Sequence, residues 1–428
     1  MDKSKIKIAC VGNMNNSMFS IVRHLRYAGY NAELILSKEF SHFQPDADTF
    51  EEINTDFIIE SDFLNSDILY TKQLKLNNFF SKYNFIIACG YSIAYLTFAK
   101  IKIDVVIPYG SDLYELPFFE IQDVNNTYFN KQRAALAKYQ KLGIENATGI
   151  IFDYTNEEFE KTINLFNLKG KRYKYPSPFI YTPEFNWQNS KTIQTKSSLT
   201  SKMLEIKKKF DFIAFSHIRQ SWKNPIDIWS YKGNERIFRG FKNFLELTNA
   251  NACIIVFEYG SDVEDSKKLI VELGLEKNVI WFPTLERKNI LSMISFIDVG
   301  IGEVGDYSWL SYGAIFEFLC MQKPVIHNRK DSLYEKIVDS LYPMYSAANE
   351  EEVTKALISC FQNKEHANKI AVEANEWYVD YAINKPLAVL TSILEKKGTV
   401  LPSFEKKMSV FLLKVESLAF FLKLKLNL

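Results

Sequence analysis

Short apolar, β-rich runs alternate along the chain with longer stretches whose apolar residues recur at helical spacing. Residues 5–11 (KIKIACV) predict a strand, and Gly12 with a polar loop to Ser17 follows. The next stretch places Phe19, Val22 and Leu25 on one helical face and stops at Gly29. Residues 31–36, 85–89, 103–108 and 149–152 read as further strands of the buried type. Strands separated by helices imply a parallel sheet with right-handed crossovers. The alternation breaks at the Tyr-Pro-Ser-Pro run at 175–178 and at the Ser/Thr-rich stretch 189–201, which marks a domain boundary. It then begins again. Strands are expected at 212–216, 253–257, 279–282, 298–302 and 324–327. Helices are expected at 234–247, with Ile237, Phe241 and Leu245 on one face, at 262–273, at 313–321, and in two pieces over 353–377. The pattern is α/β and doubled. It divides into an N-terminal domain over 1–185, a linker over 186–208, a second domain over 209–397 and a distinct tail over 398–428.

The 428 residues suit two or three domains, at about 100–200 residues each. With 47% hydrophobic and 24% charged residues, the chain has enough apolar material for sizeable cores. Lys and Arg number 52 against 51 Asp and Glu, so no overall field draws nucleic acid, and none is expected as a partner. Cys10, Cys89, Cys253, Cys320 and Cys360 form no CxxC pair, and their spacings suit neither zinc nor a disulfide framework. They read as buried, reduced thiols in a cytoplasmic protein. The N-terminus runs directly into a strand with no signal peptide. No apolar stretch reaches the roughly 18–20 residues of a membrane span. The tail changes this picture. Met408, Phe411, Leu412, Val415, Leu418, Leu422 and Leu426 repeat at helical spacing, and five lysines less two glutamates over 404–428 give +3. Such an amphipathic helix either lies on an anionic membrane surface, at the inner face of the cell membrane, or docks on protein; the membrane is the favoured reading.

Three loops carry candidate chemistry. Gly12 and the polar residues after it open a helix whose amides can face an anion, although a tight strand-to-helix turn explains them equally well. After the strand at 212–216 come His217, Arg219, Trp222 and Lys223, then Tyr231-Lys232-Gly233 at a helix start. Arginine offers a planar fork and lysine a point charge, a pair suited to a diphosphate. Fixed cations there would stabilise the charge that grows on a departing nucleoside diphosphate. Third, Gly313 opens a helix with Glu317 one turn in; the glycine lets a phosphate approach the amides, and the glutamate can accept both hydroxyls of a ribose. An acidic first turn, favoured by the helix dipole, is the plainer alternative. Asp46-Ala-Asp48 has the D-x-D form of a metal–diphosphate site but lacks a strand context. It is read as solvated, and no obligatory metal is expected.

These loops resemble a family. The segments SHIRQSWKNPIDIWSYKGNERIFRGF, VFEYGSDVEDSKKLIVELGLEKNVIWFPTLERKNI and SFIDVGIGEVGDYSWLSYGAIFEFLCMQKPVI follow, in order, the donor-binding domain of the retaining GT-B glycosyltransferases of family 4, group 1. That group includes sucrose synthase-like and bacterial cell-envelope enzymes. The opening GNMNNSMFSIVRHLRYAGYNAEL, with Gly12, and the Pro-Tyr-Gly-Ser-Asp run at 108–112 resemble the acceptor domain. The resemblance implies two Rossmann-like domains facing across a cleft, and a hexosyltransferase that uses a nucleotide-diphosphate sugar as donor substrate. It implies that Arg219 and Lys232 hold the diphosphate, Glu317 the ribose, Thr284 and Leu285 the base, and Gly12, Gly313, Tyr109 and Asp112 further parts of the donor. The acceptor would be a cell-envelope glycan or a lipid-linked sugar, with retention of configuration. This chain departs from the family pattern at several points. Trp309 stands where the family carries the first of two glutamates, and Glu303, fourteen positions before Glu317 (317 − 303), is the substitute, with Asp306 between. Tyr109 stands where many members have histidine, Gln322 replaces a glycine, and the Arg219-to-Lys232 spacing is long. A sugar-nucleotide epimerase of the same fold and a donor-binding scaffold without catalysis are the alternatives.

The tail reading has a direct test. Full-length protein should sediment with anionic vesicles at low salt and be released as salt rises, and a chain ending before Phe404 should not sediment. If both stay in the supernatant, the helix packs on protein.

Overall fold

A computed structural model of the chain describes residues 2–37, 44–53, 55–61, 68, 72–120 and 128–397; the expected tail at 398–428 lies outside the described residues. The chain divides into two compact units. The first takes the described residues of Met1–Pro45, Glu52–Tyr181 and those from Tyr381 onward; the second takes Asp46–Glu51 and Thr182–Asp380.

The first unit holds a seven-stranded parallel sheet among the described residues. Its strands are β1 (Lys7–Val11), β2 (Asn31–Ser37), β3 (Ile58–Ser61), β4 (Phe85–Ala88), β5 (Val105–Val106), β6 (Gly149–Phe152) and β7 (Lys171–Lys174), in the order β3-β2-β1-β4-β5-β6-β7. Between them run α1 (Ser17–Tyr27), α2 (Gln73–Phe80), α3 (Ser92–Phe98), the single turn α4 (Ser111–Tyr114), α5 (Tyr128–Asn146) and α6 (Glu157–Ile163). The central strands β1, β4, β5 and β6 are apolar and buried at nearly every position because both faces are covered. One face presents Ala9, Val11, Ile35, Ile86, Ala88 and Val106 to Leu76, Phe80, Ile93, Leu96, Ile144 and Phe159. The other presents Ile8, Cys10, Leu34, Phe85, Ile87 and Val105 to Met18, Phe19, Val22 and Leu25 of α1. The period-two alternation of a strand sorts these residues into two layers. β7 escapes a hydrophobicity reading: three of its four residues are exposed lysines or arginine at the sheet edge.

The second unit repeats the plan. α7 (Ser190–Lys196) and α8 (Thr200–Lys209) precede β8 (Phe212–Phe215). Then come α9 (Asn234–Thr248), β9 (Ala252–Phe257), α10 (Val263–Glu272), β10 (Val279–Phe282), α11 (Arg287–Ile294), β11 (Val299–Ile301), α12 (Gly313–Cys320), β12 (Val325–His327), β13 (Tyr345–Ser346), α13 (Glu350–Gln362) and α14 (Lys364–Tyr378). Six parallel strands run in the order β10-β9-β8-β11-β12-β13. The face of α9 read from the sequence is real: Ile237 and Phe241 are buried, with Phe238 and Phe244, against Ala214, Ile254, Val299 and α13.

Two boundaries differ from the expected ones. The polar stretch at 186–208 is not a free linker. Ile193, Met203 and Ile206 of α7 and α8 are buried, and Gln194 Nε2 donates to Ser295 Oγ at 2.8 Å. A few apolar residues on polar helices suffice to dock them. The last described helix, α15 (Lys385–Lys397), leaves the second unit and packs on the first. Leu390, Ile393 and Leu394 join Ile8, Phe85 and Ile151, and Lys397 Nζ meets Asp104 at 2.6 Å. Burial raises the Asp104 carboxyl above its ordinary value, with Lys397 pulling the other way.

Leu390 is fully buried. Leu390→Ala should therefore destabilise the first unit by about 2–5 kcal/mol. Urea denaturation followed by circular dichroism reads it; an unchanged midpoint would mean that α15 does not hold the sheet face.

Candidate functional site

In the second unit the chain runs from β8 outward to β9 and β10, then returns to lay β11, β12 and β13 on the other side of β8. β8 and β11 are neighbours whose following connections leave in opposite directions. At such a switch point a crevice opens beyond the carboxyl ends of the strands. The residues that line it come from the loop after β8 (216–233), the loop after β11 (302–312) and the start of α12.

Backbone contacts lock the two loops together. Lys232 N–H donates to the Ser221 carbonyl at 2.7 Å, and Val304 N–H donates to the Lys232 carbonyl at 3.1 Å. Gly233 has φ +67, and a Cβ there would lie 2.4 Å from the Val304 oxygen; one on Gly305 would lie 2.1 Å from the Tyr231 oxygen. Only glycine allows this approach. Arg236 of α9 adds bonds to the Val304 carbonyl (3.1 Å) and to Asp306 (2.8 Å). At the loop's outset, Asp262 accepts from the Trp222 and Lys223 amides at 2.7 and 2.8 Å.

This clamp presents a buried ion pair. Lys232 Nζ lies 2.7 Å from Glu303 Oε1 and also donates to the Trp229 carbonyl at 2.6 Å. The other carboxylate oxygen, Oε2, accepts from Trp309 Nε1 at 3.0 Å. Burial raises the Glu303 carboxyl above its ordinary value, while Lys232, Trp309 and the neighbouring Arg219 act to lower it. Arg219 itself is exposed. Arg219 thus stands near the Lys232–Glu303 pair, on the same loop after β8 as the lysine. The Tyr312 hydroxyl bonds the Glu303 amide, which ties the start of α12 to the same loop. α12 begins at the exposed Gly313 without a side-chain cap. Its first amides therefore have no helical acceptor and a partial positive charge.

Glu317 is differently placed from what a free ribose acceptor requires. It is buried, with Oε2 2.6 Å from His217 Nε2 and Oε1 3.0 Å from Arg287 Nε. Burial works to raise its carboxyl, but His217 and Arg287 together hold it below the ordinary value. The Arg287 guanidinium also pairs with Asp48. The D-x-D segment is thus solvated only in part: Asp46 is exposed, its carbonyl accepting from Lys288 Nζ at 2.6 Å, whereas Asp48 is mostly buried in this ion pair. Sequence reading missed Arg287, although it follows directly on the Pro-Thr-Leu-Glu run at 283–286. Thr284 is exposed and Leu285 half-buried in that same loop between β10 and α11. Three buried polar atoms on the two sides of the switch point, Ser216 Oγ, His217 Nδ1 and Ser311 Oγ, have no hydrogen-bond partner among the described residues.

Gly12, Tyr109 and Asp112 belong to the first unit. Gly12 ends β1 with φ +88, and a Cβ there would lie 2.7 Å from the Cys89 carbonyl oxygen, at that sheet's own switch point between β1 and β4. Tyr109 is half-buried over Gly90. Asp112 is fully buried and faces inward. Its carboxylate accepts from the amides of Gly90 (2.9 Å), Tyr109 (3.0 Å) and Gly110 (2.9 Å), and burial raises it to about 6. Its contact is with the loop that carries Tyr109, and it shapes that loop.

No family model and no curated protein sequence matches the chain; its likenesses are structural. A glycosyltransferase from Rickettsia africae superposes with TM-score 0.56 at 14% identity, over 92% of this chain and 98% of that one. HepE of Anabaena, in complex with UDP, gives 0.57 at 13% over 91% and 100%. A UDP-GlcNAc 2-epimerase from Neisseria meningitidis, bound to UDP-GlcNAc, gives 0.56 at 12% over 91% and 100%. The chain has the GT-B fold. At these identities the likeness speaks for architecture, and the GT-B fold serves both transferases and epimerases in this set.

Glu317→Gln should lower the thermal midpoint even without a ligand, because it weakens a buried carboxylate bonded to His217 and Arg287, at a cost of about 1–3 kcal/mol. The pH dependence has a fixed sign. Glu317 is held below its ordinary value, so its contribution is present above that value and is lost as pH falls through the depressed one. The variant's midpoint should therefore fall less than that of the native protein between about pH 7 and about pH 3. Parallel curves would remove the network from the stability of the fold.

Proposed function

We propose that the protein is a glycosyltransferase that moves a sugar from a nucleoside-diphosphate donor to a cell-envelope glycan or lipid-linked acceptor, with retention and without an obligatory metal. One observation carries the reading: the switch-point crevice of the second unit joins an exposed arginine, a clamped lysine and an uncapped helix start, all of one electrostatic sign. Those are the groups that a departing diphosphate needs. As the glycosidic bond to the β-phosphate lengthens, negative charge grows on the bridging oxygen. Lys232, held in place by Glu303 and the Trp229 carbonyl, and the exposed Arg219 near it stabilise that charge. The α12 amides add a dipole of the same sense. Orphaned polar atoms of Ser216, His217 and Ser311 fit a polar ligand that supplies their missing partners.

In this reading Glu303 takes the part of the acid that family 4 carries at the position of Trp309. The indole of Trp309 bonds that very carboxylate, so the substitution keeps an acid in the neighbourhood by another route. Glu317 acts on the ribose from within its pairing with His217 and Arg287, and the backbone around Thr284 and Leu285 faces the base. Gly12, Tyr109 and Asp112 shape loops of the first unit that serve the same reaction. The structures with UDP and UDP-GlcNAc make uridine nucleotides the first donors to test. An epimerase is the second reading, since the Neisseria structure matches as well as the transferase does.

Incubation with UDP-sugars and a glycan or lipid-linked acceptor should release UDP in proportion to product. Interconversion of the UDP-sugar without UDP release would establish the epimerase. Arg219→Ala should lose about 2–4 kcal/mol of transition-state stabilisation, or roughly thirty- to one thousand-fold in turnover. This variant is the decisive one, because Arg219 is exposed and its loss leaves the fold alone. Lys232→Ala should lose at least as much activity but also leaves Glu303 buried without its cation. Near-native turnover of Arg219→Ala would overturn the assignment.

A further inference from the structure

The same crevice carries a feature that the cations do not explain. Trp229, Tyr307 and Trp309 converge beside the Lys232–Glu303 pair. The ring centroids of Trp229 and Tyr307 are 6.1 Å apart at 67°, and those of Tyr307 and Trp309 are 4.6 Å apart at 58°. Both ends of this row bond to the ion pair: Lys232 Nζ donates to the Trp229 carbonyl, and Trp309 Nε1 donates to the Glu303 carboxylate. The rings are held by the loops already described. Residues 222–231 form an excursion closed at its neck by the Lys232-to-Ser221 bond, and its tip is a turn in which the Ser230 amide donates to Asp227 Oδ1 at 2.6 Å. Yet the row stays open to solvent. Trp229 is 39% exposed, with Tyr307 and Trp309 half-buried. A large aromatic surface kept wet beside a fixed charge pair is poor packing for its own sake and suits a ligand that is apolar on one side and polar on the other.

We propose that the exposed ring of Trp229, propped by the inclined rings of Tyr307 and Trp309, stacks on the C–H face of a hexopyranose ring, the one carried by the nucleotide donor. The inference rests on the reading of Arg219 and Lys232 as the diphosphate site. The ring of a nucleotide sugar is attached directly to the β-phosphate oxygen, so a diphosphate held at Lys232 brings the sugar within one ring's width of that lysine. The aromatic row begins at the residue whose carbonyl Lys232 bonds. A hexopyranose turns axial C–H groups, slightly positive, to one face, and these meet the negative face of an aromatic ring. Its hydroxyls point outward along the edge, where Glu303 stands. A free diphosphate makes none of these contacts.

The test compares Trp229→Ala and Tyr307→Ala with the native full-length chain by titration calorimetry without acceptor. The probes are UDP, GDP and ADP and their glucose conjugates. For the base that binds, both variants should keep the affinity for the bare diphosphate and lose about three- to tenfold for the glucose conjugate. Trp229→Phe should recover most of the loss, which separates ring stacking from a disturbed loop. Equal losses for diphosphate and conjugate would overturn the proposal and put the base on the rings. Unchanged affinity for both, with weaker binding of a glycan acceptor, would overturn it in favour of an acceptor sugar. If the native chain binds no diphosphate and no conjugate, the diphosphate reading itself fails and takes the proposal with it.

Discussion

Everything at the candidate site depends on keeping Lys232 and Glu303 together out of water. Taking two charges from solvent costs several kcal/mol each, and their attraction repays this only when geometry is fixed and the remaining valences are satisfied. The protein meets both conditions. Two glycines let the loops after β8 and β11 touch through their backbones. The lysine has a carbonyl as well as the carboxylate, and the carboxylate has an indole as well as the lysine. The pair is thereby held at both ends by polar partners, which is the condition a buried ion pair must meet.

A second buried network shares the unit. Glu317, His217, Arg287 and Asp48 join residues far apart in sequence, and Asp48 arrives on Asp46–Glu51, six residues from the N-terminal half that belong to the second unit. Thr49 and Phe50 anchor the same segment, their Oγ1 and amide each donating to a Glu184 carboxylate oxygen at 2.7 Å. An Asp-x-Asp sequence that looks like a metal site is in this chain a structural plug: one carboxylate neutralises an arginine that also holds Glu317. The guanidinium's planar fork makes it able to serve two carboxylates at once.

The loop after β11 joins its aromatic rings to the ion pair. The Trp309 indole bonds the Glu303 carboxylate, and its ring lies against Tyr307, which in turn meets Trp229.

The sequence by itself determined the repeated parallel α/β plan. Fully buried strands must be apolar throughout and helices must show one apolar face, so β1, β4, β6, β8 and β9 and the face of α9 were legible as written. The placement of Arg219 and Lys232 between β8 and α9, and of Gly313 at the start of α12, was legible too, because strand ends and helix starts are fixed by local pattern. Tertiary structure alone decided the rest. The edge strand β7 carries almost no apolar signal, and α7 and α8 look like a linker until the few residues that dock them are seen. α15 belongs to the first unit because Leu390 and Leu394 find a sheet face there, which no local window records. The partners of Glu317, the role of Asp48 and the bond from Trp309 to Glu303 join residues from different parts of the chain. A side chain's charge and shape are written locally, but what it neutralises depends on what folding brings within 3 Å or so of it.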